Sequence, residues 1–226
     1  MGRITRTMSM ILVTVLCAAA VGAIAGADTV KEHVTGKEFD ASVQGATPGV
    51  TLTCTGVGCR KATALGVKVY AIAQWIDAEG ARKPLSEWQG KSGKDLAEDQ
   101  GFYDAISSAD IEKRLRLVFV RHVTAKELRD GFGESLRLAY PEKLSSSAEQ
   151  FLALFATDVK EDHSIELRCL PGGVIEVEQN GATLGRMPAD PELAKAVWGI
   201  YLGKDLADSH LEQIKPELIA RMDAIW

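Results

Sequence analysis

Alternation of apolar and polar residues marks the strands of this chain. Val50, Leu52 and Cys54 alternate with Thr51, Thr53 and Thr55, the two-residue period of a half-buried strand. Gly56-Val57-Gly58 then reads as an interruption of that strand. Residues 67–76 (VKVYAIAQWI) form the longest strand candidate, rich in the β-branched and aromatic residues that suit a pleated surface. Residues 114–121 alternate again, with Leu115, Leu117 and Phe119 on one face. Residues 165–169, the turn Pro171-Gly172-Gly173 and residues 174–178 predict a hairpin. Asn180-Gly181 is a two-residue turn signal that leads to a last short strand.

A longer period marks the helices. Ser92 with Asp95 predicts a capped helix reaching Ala105. Thr124 caps a helix over 125–138 whose buried face is Leu128, Phe132, Leu136 and Ala139. Ser146 with Glu149 predicts a capping box before Phe151, Leu152, Leu154 and Phe155. Asp190-Pro191 opens a helix that Gly203 ends, and a final helical stretch over 209–225 is disturbed at Pro216. Strands joined by hairpins and followed by helices predict an α+β class: a mostly antiparallel sheet covered on one face by helices. Such a layer can enclose an apolar pocket.

The first 27 residues stand apart. Arg3 and Arg6 form a basic start, residues 8–23 carry no charge, and Ala25-Gly26-Ala27 is a small-x-small cleavage signal. This is the layout of a secretory signal peptide, which leaves residues 28–226 as one domain, periplasmic or secreted. The alternatives are an uncleaved membrane anchor and, on Cys17, a lipoprotein. No later stretch is long and apolar enough to span a membrane.

Composition narrows the partners. With 46% hydrophobic and 25% charged residues the chain is ordinary for a globular protein. The net charge of −5 argues against nucleic acid as a partner. Residues 1–27 hold two basic residues and no acid, so the remainder carries −7. Beyond Cys17, three cysteines remain, Cys54, Cys59 and Cys169. An odd number leaves at least one thiol free or paired with another chain. Cys54 and Cys59 are candidates for a bridge across residues 55–58. The four histidines (His33, His122, His163, His210) are scattered without a partner at ligand spacing, so neither metal nor cofactor is expected. His122 sits at a strand end with no acid nearby in sequence, and Glu98-Asp99 and Glu161-Asp162 read as solvated loops.

Arg60 is the first candidate for chemistry. If residues 60–63 and 67–70 pair as an antiparallel hairpin around a three-residue turn, Arg60 faces Tyr70 on the same side of the sheet. A guanidinium beside a phenol is an anion site, because Arg donates two parallel hydrogen bonds to a carboxylate and Tyr a third. The plainer alternative is a surface Arg on a hairpin edge.

The stretch GVGCRKATALGVKVYAIAQWI over residues 56–76 resembles the chalcone isomerase family, whose members carry a Gly-x-Gly-x-Arg turn before a Lys-x-x-Ala-Ile strand. Glu87-Trp88-Gln89-Gly90-Lys91-Ser92 with Leu96, residues 102–124, Asn180-Gly181 and residues 194–204 (AKAVWGIYLGK) extend the likeness over roughly residues 45–222. The resemblance implies an open-faced β-sandwich with a helical layer. It also implies a role for Arg60: in the family's enzymes this Arg binds the substrate oxyanion, and in its fatty-acid-binding members an Arg and a Tyr hold the carboxylate. The enzymes add further polar side chains, at positions that fall on Tyr70, Leu128, Ser135 and Ala194 here. The changes to Leu and Ala each remove a hydroxyl donor.

These readings converge on an exported protein, more consistent with binding than with catalysis, that holds a fatty acid or similar apolar anion. Arg60 and Tyr70 would head the pocket, and Leu128 and Phe132 would line it or, alternatively, serve only in helix-to-sheet packing. The competing functions are an isomerase (intramolecular lyase) with an altered donor set and an interaction module with a vestigial pocket.

Overall fold

The computed structural model describes residues 28–62 and 65–226; the expected signal peptide lies outside them. Among these residues the strands are β1 (Thr29–Lys31), β2 (Glu38–Asp40), β3 (Ser42–Gln44), β4 (Thr51–Ala62), β5 (Val67–Asp77), β6 (Lys113–Phe119), β7 (Ser164–Leu170), β8 (Val174–Gln179) and β9 (Ala182–Met187). Among the described residues the α-helices are α1 (Ala78–Ala81), α2 (Gly93–Leu96), α3 (Gln100–Ser108), α4 (Ala125–Ala139), α5 (Ser146–Ala153), α6 (Pro191–Leu202) and α7 (Ser209–Glu217). Strands β3 to β9 pair only with their chain neighbours, giving a seven-stranded antiparallel meander, while β1 and β2 form a separate ribbon. This is the α+β class expected from the sequence.

One face of the sheet carries the helices. Tyr70, Ile72 and Ile76 of β5 and Leu115, Leu117 and Phe119 of β6 join the main core with Leu128, Phe132 and Leu136 of α4 and Val197, Trp198 and Tyr201 of α6. Ala139, expected on that buried face, is exposed. The opposite face has a cover the sequence pattern did not announce. Ala71, Ala73, Trp75, Leu52 and Cys54 pack against Phe39 of β2 in a second small core. Trp75 Nε1 donates to the Asp40 carbonyl at 2.8 Å, and its ring meets Phe39 edge-on at 6.0 Å.

Strand β4 continues through Gly56-Val57-Gly58, and the expected interruption is reduced to a register shift against β5 between Cys54 and Gly56. A Cβ on Gly56 would overlap the Glu217 carbonyl, and one on Gly58 the Glu217 carboxylate. The glycines therefore let α7 lie directly on the strand backbone. The contact is sealed by Thr55, whose hydroxyl donates to the Leu218 carbonyl at 2.9 Å and accepts from Gln74 Nε2 at 3.0 Å.

The continuous strand also settles the cysteines. Cys54 and Cys59 lie five positions apart, roughly 16 Å along a strand, whereas a disulfide needs Cα atoms within about 7 Å. Both are free, as is Cys169, and burial pushes the Cys54 and Cys59 thiols up to about 11.

Helix starts follow local chemistry, with two shifts from expectation. The predicted helix from Ser92 to Ala105 is two helices, because Asp99 starts a new one by accepting from Phe102 N. Asp99 also accepts from Trp88 Nε1 at 2.8 Å, so it is no solvated loop residue. The cap of α5 is Ser145, not Ser146. Thr124 with Glu127 forms a capping box on α4, and Asp190 with Pro191 starts α6. Pro216 sits in the last turn of α7, and a 3₁₀ turn at Met222–Ile225 follows. Asn180 (φ 50°) and Gly181 (φ 80°) make the expected tight turn between β8 and β9.

The glycine contacts predict opposite outcomes for one substitution type. Gly56→Ala forces α7 off the strand and costs about 3 kcal/mol. Gly131→Ala, in mid-α4 with no atom within 4 Å of the new Cβ, raises stability by about 0.5–1 kcal/mol through helix propensity. Urea denaturation of the two variants checks both signs.

Candidate functional site

Arg60 opposes Tyr70 across β4 and β5, as the hairpin reading requires. The register then slips: Lys61 faces Lys68 and Ala62 faces Val67, which leaves Val69 unmatched in a bulge. The three-residue turn of the sequence reading therefore fails beyond Arg60. The bulge has a local consequence, since it leaves the chain neighbours Val69 and Tyr70 both buried in the helix-side core.

Tyr70 is tied down from two sides. Its hydroxyl lies 3.0 Å from the Tyr201 hydroxyl of α6, and its ring rests 5.3 Å from that of Phe119. Burial raises the pKa of both phenols; the hydrogen bond with Tyr201 and the Arg60 charge only partly offset this at Tyr70. Both hydroxyls are thus neutral donors at ordinary pH.

The Arg60 side chain is 17% exposed. Its guanidinium donates to the Lys61 carbonyl and forms an ion pair with Asp208. Asp208 is the N-cap of α7, its Oδ1 accepting from His210 N at 2.8 Å and Leu211 N at 3.1 Å. The placement follows from the strand. Gly56, Gly58 and Arg60 share one strand face, two positions apart. The glycines seat the C-terminal part of α7, and Arg60 meets its N-cap. From Gly56 to Arg60 is roughly 13 Å of strand, and from Asp208 to Glu217 is roughly 13 Å of helix. The Gly-x-Gly-x-Arg sequence is therefore one face of a strand matched to a helix, not a turn.

Beside this group lies a cavity of about 170 Å³. Tyr70 and Phe119 form its sheet wall, Leu128, Phe132 and Ser135 of α4 face them, and Tyr201 closes one side. All four sequence-derived candidates, Arg60, Tyr70, Leu128 and Phe132, line this one space. Phe132 is held from behind by Phe155, with ring centres 4.8 Å apart. Ser135 lines it too, but its hydroxyl donates to the Gly131 carbonyl at 3.2 Å. Ala194 is buried and does not line the cavity. A second depression of about 340 Å³ lies between α3, α4 and α6 and shares Ser135 with the first.

Sequence reasoning missed Tyr201 and Asp208. Tyr201 lay in the quoted 194–204 segment, and Asp208 carried an N-cap signal before Ser209, but neither signal names a partner in the sheet. A second guanidinium, Arg121, also lines the cavity and lies 3.7 Å from Glu127. His122, expected without an acid nearby, meets Asp158 at 3.1 Å, because the Val123–Val159 bridge brings the two segments together. Both side chains are more than half exposed. Among the described residues no group of three or more His, Cys, Asp or Glu is placed to hold a metal ion.

The tyrosine pair yields a prediction. Phenols whose pKa is raised by folding give stability that is fully present below the ordinary value of about 10 and is lost as pH rises above it. Urea denaturation should therefore show stability falling between neutral pH and about pH 11, less steeply in the Tyr70→Phe/Tyr201→Phe double variant. Tyr70→Phe alone leaves the Tyr201 hydroxyl without its partner and costs about 1–2 kcal/mol at neutral pH.

Comparison with known proteins agrees with this architecture. A family model described as chalcone isomerase-like matches residues 96–215. Chalcone isomerase-like protein 2 of Humulus lupulus is 35% identical over 82 residues, 36% of this chain and 37% of that protein. The match thus spans little more than a third of that relative. Among solved structures, a fatty-acid binding protein of Arabidopsis thaliana superposes with a TM-score of 0.68 at 24% identity, over 85% of this chain and 98% of that one. The structural likeness bears on the fold. With the family model matching more than half of its length, the chain belongs to the chalcone isomerase-like family.

Proposed function

We propose that the protein is an exported, non-catalytic binding protein for a fatty acid or similar apolar anion, with Arg60 and Tyr70 at the ligand head. The observation that carries this reading is the convergence of a half-buried guanidinium, a buried phenol and the apolar side chains Leu128 and Phe132 on one cavity. The fold neighbour from Arabidopsis, named a fatty-acid binding protein, supports it. So does the loss of polar donors: Leu128 has none, and the Ser135 hydroxyl is spent on its own helix. Each missing oxyanion donor costs an enzyme about 3 kcal/mol of transition-state stabilisation.

The cavity is smaller than the few hundred Å³ of a typical ligand pocket. It seats the head and first part of a chain, and the remainder follows the seam between α4 and α6 towards the second depression. Export rests on the basic start, the uncharged run and the small-x-small signal before Asp28. Among the described residues no helix is long and apolar enough to cross a membrane. An intramolecular lyase is the second reading, favoured by the Tyr70–Tyr201 hydroxyl pair beside Arg60, a donor set able to stabilise an oxyanion.

Native mass spectrometry of the purified protein separates the two. The binding reading predicts copurified fatty acid that is lost in Arg60→Ala. Protein without lipid that also fails to take up added fatty acid would overturn it, and turnover of a hydroxychalcone well above background would favour the lyase.

A further inference from the structure

We infer that Asp208 sets the head-group selectivity of the cavity: it is an internal carboxylate that occupies Arg60 and that an anionic ligand must displace. This deepens the binding reading above and rests on it.

Both guanidiniums that line the cavity already face a carboxylate, Arg60 with Asp208 and Arg121 with Glu127. The first pair is built in rather than incidental. The length of α7 between Glu217, pressed on Gly56, and Asp208 equals the strand length between Gly56 and Arg60, so the helix delivers its N-cap to the guanidinium. Asp208 divides its oxygens between two tasks. Oδ1 caps the helix on His210 N and Leu211 N, and Oδ2 pairs with Arg60. An incoming carboxylate competes with Oδ2 alone for the guanidinium. The Asp208 side chain is 38% exposed, so the displaced oxygen turns to water while the cap stays in place.

The consequence is quantitative. Exchanging one carboxylate for another on the same guanidinium gains little, because the bonds broken match those formed. The apolar chain supplies most of the wild-type affinity, so an acid binds only a little more tightly than an alcohol of equal chain length, and Arg60→Ala loses the acid because it leaves the Asp208 charge unpaired beside the head. Removing the Asp208 charge frees Arg60 for the ligand and widens the preference for the acid.

The test is isothermal titration calorimetry with dodecanoic acid and dodecanol on the wild type, Asp208→Asn and Asp208→Ser. Asn and Ser both cap helices about as well as Asp, so α7 is retained, and thermal melts check that. The expected result is acid affinity raised roughly tenfold in both variants with alcohol affinity unchanged. Unchanged or weaker acid binding in the variants, with the wild type binding, overturns the role of Asp208 alone. Binding of neither probe to any of the three proteins overturns the binding reading, and this inference with it.

Discussion

A cation held at the edge of an apolar layer is the constraint on which the rest of this structure turns. Arg60 projects from a strand into the space between sheet and helices, where an unpaired charge is costly. The fold answers with three groups: the Lys61 carbonyl, the Asp208 carboxylate and, across the strand pair, a phenol. Each comes from a different element. Their convergence ties the strand pair β4–β5, helix α6 through Tyr201 and helix α7 through its cap into one unit.

The glycines make that convergence possible. A side chain at Gly56 would meet the α7 backbone, hold the helix away from the strand and carry Asp208 out of reach of Arg60, whereas one at Gly58 would displace only the Glu217 carboxylate. Packing and site chemistry are here the same fact. The residues that let the C-terminal helix touch the backbone also set where its N-terminus, and therefore its carboxylate, falls. The bulge at Val69 adds to this by leaving two consecutive residues of β5 in the buried layer, so that the sheet presents Tyr70 and an apolar neighbour to the cavity together.

Much of this was legible from residue patterns, and the exceptions share a cause. Residues 67–76 announce β5 by their β-branched and aromatic content, which suits a strand buried on both faces, and the alternation of residues 114–121 announces β6 because burial of one face follows a two-residue period. Thr124 and Asp190 announce α4 and α6 because capping is local chemistry. The Arg60–Tyr70 pairing was readable because a hairpin is also local. What stayed hidden depends on distant contacts. Residues 29–44 form strands too short to show a period, and they matter because Phe39 meets Trp75. Gly56 and Gly58 looked like a turn because nothing nearby in sequence reveals a helix some 160 positions on. The ion pair of Asp208 with Arg60 spans 148 positions.

A crystal structure of the protein grown with dodecanoic acid tests the central claim most directly. The account predicts the ligand carboxylate within hydrogen-bond distance of the Arg60 guanidinium and the Tyr70 hydroxyl, its chain against Leu128 and Phe132, and Asp208 Oδ2 released from Arg60. A ligand bound elsewhere, or an intact Arg60–Asp208 pair beside an unfilled cavity at saturating ligand, would contradict it.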